Sequence, residues 1–215
     1  MAATKLDLYN SALRVLKERK LASLTENREP RRLLDDAYGD GSTNGAVRYC
    51  LEMGQWTFAT RTVQIDYSPS ITPSFGHRYA FDRPTDLVRV CAVCHDEFFT
   101  TPLLNYVDER HYWYASQQTI YVKYVSNGAS YGADLSLWPE VFADLVEAYL
   151  AKEIAGNLTQ GDDKVRLANA FWKEAKREAR SFDAMNKPTA FPPPGEWVTS
   201  RIGRSNRSLS NRLSS

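Results

Sequence analysis

The sequence predicts an α+β chain that is mainly helical: a four- to five-helix bundle with a small antiparallel β-sheet insert and an extended C-terminal arm. Three features of the 215 residues predict it. Apolar residues recur at helical spacing towards both ends, the period changes to two in the middle, and a proline-, arginine- and serine-rich tail follows the last helical pattern. The chain therefore divides into N-terminal helices over 1–60, a sheet insert over 61–128, C-terminal helices over 129–186 and an arm over 187–215. The simplest packing joins both helical blocks in one bundle. There is no internal repeat.

Thr4 and Asp7 have the spacing of a capping box, and Leu6, Tyr9, Leu13 and Leu16 then form one helical face. Leu21–Thr25 reads as a connection. Pro30 suits the first turn of a second helix carrying Leu33, Leu34, Ala37 and Tyr38, which Gly39, Gly41 and Gly45 interrupt. A third helix is expected from Gly45 through Ala59, with Val47, Cys50, Leu51, Trp56 and Phe58 turned largely inward. Strict alternation then predicts a strand over Thr62–Tyr67. Further strands are expected at Arg78–Phe81, Leu87–Val93, Leu103–Val107, His111–Ala115 and Thr119–Val125, arranged as an antiparallel meander. Ser136 is the expected cap of the next helix, with Pro139 in its first turn and Phe142, Leu145, Val146, Tyr149, Leu150, Ile154 and Leu158 on one face. After Gly161-Asp162 a last helix carries Val165, Ala168, Phe171, Trp172, Ala175, Ala179 and Phe182.

Composition narrows the function. Charged residues make up 25% and the formal net charge is +1, so no overall field favours nucleic acid or a membrane surface. No apolar run reaches the roughly 18 residues that span a bilayer, and the N-terminus does not read as a secretory signal. The three cysteines are therefore expected to stay reduced, in a protein made in the cytoplasm.

Several constellations imitate chemistry. Cys91-Ala-Val-Cys94-His95 matches the pattern of covalent haem attachment, but it continues a strand in which residues three apart face opposite ways. A bulge at Ala92-Val93 would bring the cysteines together and revive a metal reading with His77 or His111. Gly39-Asp-Gly41-Ser-Thr-Asn-Gly45 faintly imitates a phosphate cradle, yet it follows a helix, lacks the P-loop lysine and carries Asp40. His77, His95 and His111 have no nucleophile or carboxylate at diagnostic spacing, and Asp35-Asp36 and Asp162-Asp163 sit at helix ends, where carboxylates cap. Asn157 and Asn206 match glycosylation acceptors that a non-exported chain never uses. No catalytic residue, cofactor or metal ligand is assigned, and the chain is read as a non-enzyme.

The arm is the more informative part. Pro188 and Pro192-Pro193-Pro194 force extended backbone, and Arg201, Arg204, Arg207 and Arg212 follow with no acid after Ser200. Such a segment can neutralise phosphates, dock as an extended peptide in a partner's groove, or simply be solvated. Phe191, Trp197, Val198 and Ile202 favour docking, because large apolar side chains are interface anchors.

The order of motifs resembles the head-to-tail adaptor proteins of tailed phages, the tail tubular protein A-like family, from about Leu6 to Ala184. Tyr9-Asn-Ser-Ala-Leu13 through Leu16, then Leu21-Ala-Ser-Leu24-Thr-Glu26, is similar to the family's opening helix and turn. Trp56-Thr-Phe58-Ala59-Thr-Arg61 resembles its element at the exit of the third helix, and Pro84-Thr-Asp86-Leu87-Val-Arg89-Val90 its strand start. Tyr121-Val-Lys-Tyr124-Val125, Asp134-Leu-Ser-Leu-Trp138 with Phe142, and Leu150-Ala-Lys-Glu153-Ile154-Ala155 with Leu158-Thr159 complete it. Gly39–Gly45 departs from the family's more continuous helix, and the arm has little to match.

The resemblance implies a helical bundle with a β insert, assembled as a twelve-fold ring beneath the portal protein at the head–tail junction of a virion. Its partners are then other copies of itself, the portal, a tail nozzle or tubular protein and, as further neighbours, tail fibres. DNA passes through the lumen without sequence-specific binding. Phe191, Trp197, Val198, Arg201, Ile202, Arg204, Arg207 and Arg212 are the expected portal-docking residues. The alternative is a nucleic-acid-binding or assembly-regulating protein acting through the same basic arm. Aromatics at 12% without a catalytic cluster suit a protein whose work is contact.

Overall fold

Thr4 opens the first helix with the reciprocal capping box that its spacing predicts. Its hydroxyl accepts the Asp7 N–H at 3.2 Å and the Asp7 carboxylate accepts the Thr4 N–H at 3.1 Å. The computed structural model describes residues 4–40, 44–158 and 161–186. Among these are α1 (Lys5–Val15), α2 (Glu29–Tyr38), α3 (Ala46–Glu52), β1 (Thr60–Asp66), β2 (Tyr79–Asp82), β3 (Leu87–Cys94), β4 (Val107–Asp108), β5 (Tyr112–Ala115), β6 (Thr119–Ser126), α4 (Glu140–Leu158) and α5 (Asp162–Met185).

The expected single bundle carrying one small sheet does not form. The strands make two three-stranded antiparallel sheets, ordered β1-β6-β3 and β2-β5-β4, which with the five helices give an α+β fold. The physical reason is that the strands enclose a core of their own. Phe81, Val93, Leu103, Trp113, Ile120, Val122 and Tyr124 are buried together, separate from the helical core. Burying each large side chain contributes about 1.5–3 kcal/mol, so this second core is a substantial source of stability of its own. The order is also not a meander. β6 lies between β1 and β3 because Ile120, Val122 and Tyr124 must sit over the shared core, and only a central strand is covered from both sides.

Local differences have local causes. The third helix stops at Glu52 instead of running to Ala59, because side chains take its last carbonyls: Trp56 Nε1 donates to Cys50 O at 2.9 Å, Arg89 to Glu52 O at 3.1 Å and Arg180 to Met53 O at 2.7 Å. Thr57–Ala59 is a separate 3₁₀ turn. Of the expected Leu103–Val107 strand, Leu103 N–H donates to Val93 O at 2.8 Å, but ladder pairing is confined to Val107–Asp108. Ser136 does not cap α4; it lies in a 3₁₀ turn where Asp134 accepts its N–H, and Pro139 O receives the first helical bonds, from Phe142 and Ala143. Gly45 permits the tight approach of α3 to α2. With φ at 93°, a Cβ there would lie 2.0 Å from Tyr38 O.

The helical half is organised around α4, against which α1, α2, α3 and α5 all pack. It is buried on nearly every side, from Phe142 to Ala155, rather than along one stripe. α5 meets it through Ala168, Ala175 and Ala179, small residues that let the two backbones come close. Total coverage of α4 traps a carboxyl. Glu147 is buried, and its pKa is pushed up to about 7, first by burial and then by the charge of Asp144. A Ser11 hydrogen bond and Arg14 oppose the rise, while Asp7 adds to it.

A raised carboxyl pKa means that the fold binds this proton more tightly than the unfolded chain does. Stability from Glu147 is then full below its ordinary value of 4.5 and is lost as pH rises through about 7. Glu147→Gln should stabilise the protein by about 1–3 kcal/mol at pH 8, with the gain vanishing near pH 4.5. Urea unfolding of both proteins at the two pH values checks this; an equal difference at both would show that the carboxyl is not strained.

Candidate partner-binding surfaces

The residues that carried the family resemblance converge on the junction of the two halves. Arg61 starts β1, Asp86 precedes β3, and Tyr124 and Ser126 end β6. The Asp86 carboxylate accepts from Tyr124 Oη at 2.9 Å, Ser126 Oγ at 2.5 Å and an Arg61 guanidinium N–H at 2.9 Å. Its backbone carbonyl also receives the Asn127 N–H at 3.0 Å. Burial works to raise the Asp86 pKa, but the three hydrogen bonds together outweigh it and hold the group below its ordinary value. Burial and the neighbouring carboxylate push the Tyr124 phenol up.

Other motif residues are fixed in the same manner. Asn10 clamps Leu21 by accepting its N–H at 2.8 Å and donating to its carbonyl at 3.2 Å, and Glu26 accepts the Ala22 N–H at 2.8 Å. Trp138 Nε1 donates to Gly132 O at 2.9 Å. These polar side chains are committed to backbone and to one another. They form a lock, not a reactive centre.

The constellations that imitate chemistry resolve structurally. A β-bulge does occur beside the cysteines, between Val90 and Ala92, but Cys91 packs against the helical core while Cys94 is buried near Asp96. Burial and then that charge raise the Cys94 thiol pKa and disfavour the thiolate that a metal would need. Among the described residues no three His, Cys, Asp or Glu side chains cluster to hold a metal ion. His77 lines a surface cleft with Phe75 and Val107, His95 is exposed, and His111 stacks edge-on with Tyr112. In the glycine-rich turn, Asn44 Oδ1 accepts the Asp40 N–H and Asp40 Oδ1 accepts the Asn44 N–H, at 3.3 and 3.0 Å, which removes two donors a phosphate would use. Asp35 accepts the Tyr9 hydroxyl at 2.8 Å and pairs with Lys5 and Arg31.

What remains open is apolar. β1 and β3 both end, at Asp66 and Cys94, beside the start of β6, at the end of the sheet away from the helices. The loops leaving that end expose Phe75 by 90% and Phe98 by 77%, and Leu104 follows close behind at 87%. Isolated exposed leucines are ordinary, but large aromatics held out on braced loops are not. Asp96 accepts from the Thr100 N–H, the Thr100 hydroxyl and the Thr101 N–H at 3.0, 2.6 and 2.8 Å, which lowers its pKa to about 2. The brace holds Phe99 at φ 57°, a left-handed conformation that strains a bulky residue. Sequence reading missed these tips; the signal was Phe98-Phe99 between Asp96 and Thr100, a turn pattern in which aromatics have no core to enter.

A second open surface lies where α5 ends. Trp56, Phe58, Val141, Phe142, Ala179 and Phe182 line an apolar groove of about 300 Å³. Asp183 fixes its wall by accepting from the N–H and hydroxyl of Thr57, both at 2.8 Å. The predicted arm residues Phe191, Trp197, Val198, Arg201, Ile202, Arg204, Arg207 and Arg212 lie outside the described residues. No family model matches this sequence, and a comparison with curated proteins finds no match either.

The lock makes a quantitative demand. Asp86→Ala strands the Tyr124 and Ser126 hydroxyls and one guanidinium, and should cost about 3 kcal/mol of unfolding free energy. Asp134→Ala, which removes two exposed turn bonds from the N–H and hydroxyl of Ser136, should cost about 1 kcal/mol. Chemical denaturation of both variants decides it, and equal losses would deny the junction its special role.

Proposed function

We propose that this protein is a structural virion subunit that assembles as a ring, joins a portal to a tail and leaves a channel for DNA. The observation that carries the reading is the set of exposed apolar tips at one end of the sheet, Phe75, Phe98 and Leu104, with Phe98 on a loop braced by Asp96. A monomer gains nothing from that arrangement, whereas a subunit surrounded by others buries it. The order of motifs from Leu6 to Ala184 supports the family assignment, and a net charge of +1 suits DNA moving past without sticking.

In this reading the helical halves sit side by side around the ring, and the sheet end with Phe75, Phe98 and Leu104 faces the tail or the ring's outer side. The arm docks on the portal. Its contacts are individually weak, and repetition around a ring multiplies them into avidity. An arm that closes the ring only through a portal contact makes assembly conditional on a portal being present.

Electron microscopy of the protein mixed with its cognate portal, beside the protein alone, tests the reading. The expected result is a twelve-fold collar of roughly 290 kDa below the portal, absent from the lone sample. A monomer that ignores the portal sinks the ring. If that monomer also shifts duplex DNA with affinity falling steeply in salt, the arginines of the arm are phosphate ligands instead. The double variant Phe98→Ser with Leu104→Ser should unfold within about 0.5 kcal/mol of the parent, because both side chains are solvated. It should nevertheless weaken collar formation or attachment of the tail-side partner by at least roughly tenfold.

A further inference from the structure

The apolar groove at the end of α5 has an unusual position. Asn186, the residue after the helix, is itself part of the groove's lining, so the chain leaves α5 at the groove's rim. The floor is aromatic. Phe142 packs against Trp56 with centroids 5.0 Å apart and against Phe58 at 4.8 Å, and Phe182 covers one side while remaining 39% exposed. The walls cannot spread easily, because Asp183 ties α5 to Thr57 on the opposite lip. A largely apolar groove braced in this way takes an aromatic side chain at little cost in reorganisation.

The first large apolar residue after Asn186 is Phe191. Five residues span at most roughly 17 Å, enough to return Phe191 to any part of the slot but too short to carry it across the molecule. Pro192 restricts Phe191 to extended backbone, and Pro192-Pro193-Pro194 favour a polyproline II course at about 3.1 Å per residue. A phenylalanine seated in the slot would then be followed by a stiff spacer pointing away from it.

We propose that this groove binds Phe191 of the same chain. The arm is thereby divided in two. Phe191 fixes its root to the body, and the proline run projects Trp197, Val198 and Ile202, with the arginines beyond, outward to a partner. Fixing the root also limits the volume that the distal segment searches, which raises its effective concentration at a nearby surface. The groove's alternative occupants, Phe98 or Leu104 of a second copy, have no such tether and compete at a disadvantage.

The test uses the full chain without portal, so its outcome is independent of ring assembly. Phe191 is replaced by the photoreactive p-benzoylphenylalanine, the dilute protein is irradiated, and crosslinked peptides are mapped by mass spectrometry. The expected product has monomer mass and joins position 191 to peptides containing Phe58, Val141 or Phe182. A control with the probe at Val198 should give none of these. Adding Phe182→Glu, a change at a partly exposed site that the fold tolerates, should cut the yield at least roughly fivefold. Crosslinks between copies, crosslinks to other parts of the chain, or a yield no higher than the Val198 control would each overturn the proposal.

Discussion

The carboxylate of Asp86 ties together the strand ends of the sheet β1-β6-β3 that lie next to the helical half. It sits in the short link before β3 and gathers the beginning of β1 through Arg61 and the end of β6 through Tyr124 and Ser126. The ends of β1 and β6 are also where the chain passes between helices and sheet: Ala59 ends the turn leading into β1, and Asn127 begins the path to α4. An ionised group so placed must be well paired, since burial alone would drive it towards the neutral acid. Three donors satisfy it, all from the ends of β1 and β6, so their geometry fixes those strand ends against the link before β3. Arg89, three residues on, extends the same junction by capping Glu52 at the end of α3.

From that junction the two surfaces of interest follow. The strands run away from the helices for about seven residues, roughly 23 Å, so whatever the distal loops display is held at that distance. Arg180 and Asp183 pin the far end of α5 to the turn region between α3 and β1, so α5 finishes beside the junction rather than at the distal tips. The arm's root and the aromatic tips are therefore separated by the length of the sheet. A subunit that connects one body to another needs contacts at two separated places, and this fold supplies them without any moving part.

Much of this was legible in the sequence, for identifiable reasons. The capping box at Thr4, the proline at the start of α2, the alternation in Thr62–Tyr67 and the alanine face of α5 are local signals with local consequences. The failure of Ser136 to cap α4 is local, since Asp134 takes its N–H, but the larger misreadings were non-local. That α3 ends at Glu52 depends on Arg89 and Arg180, which lie far along the chain. That β6 is central, and that the strands form two sheets around their own core, depends on which apolar faces meet, and alternation within one strand does not encode its neighbour. α4 looked one-sided because Ala143, Ala148, Ala151 and Ala155 complete its buried surface as quiet small residues.

The motifs that carried the resemblance turn out to be the most heavily bonded residues, and this has a physical origin. Asp86 satisfies three partners at once, Asn10 both backbone groups of Leu21, and Arg61 and Tyr124 each complete the Asp86 set, so few other residue types suit these places. Phe75, Phe98 and Leu104 touch little within the chain, and nothing in the fold dictates their identity. Pattern reading thus finds the lock and passes over the contact surface, while burial finds the surface because it asks what the fold leaves unused. The strain at Phe99 sharpens that argument. Three hydrogen bonds accepted by Asp96 fix the turn that carries Phe98 outward, and this is the feature on which the proposed contact rests.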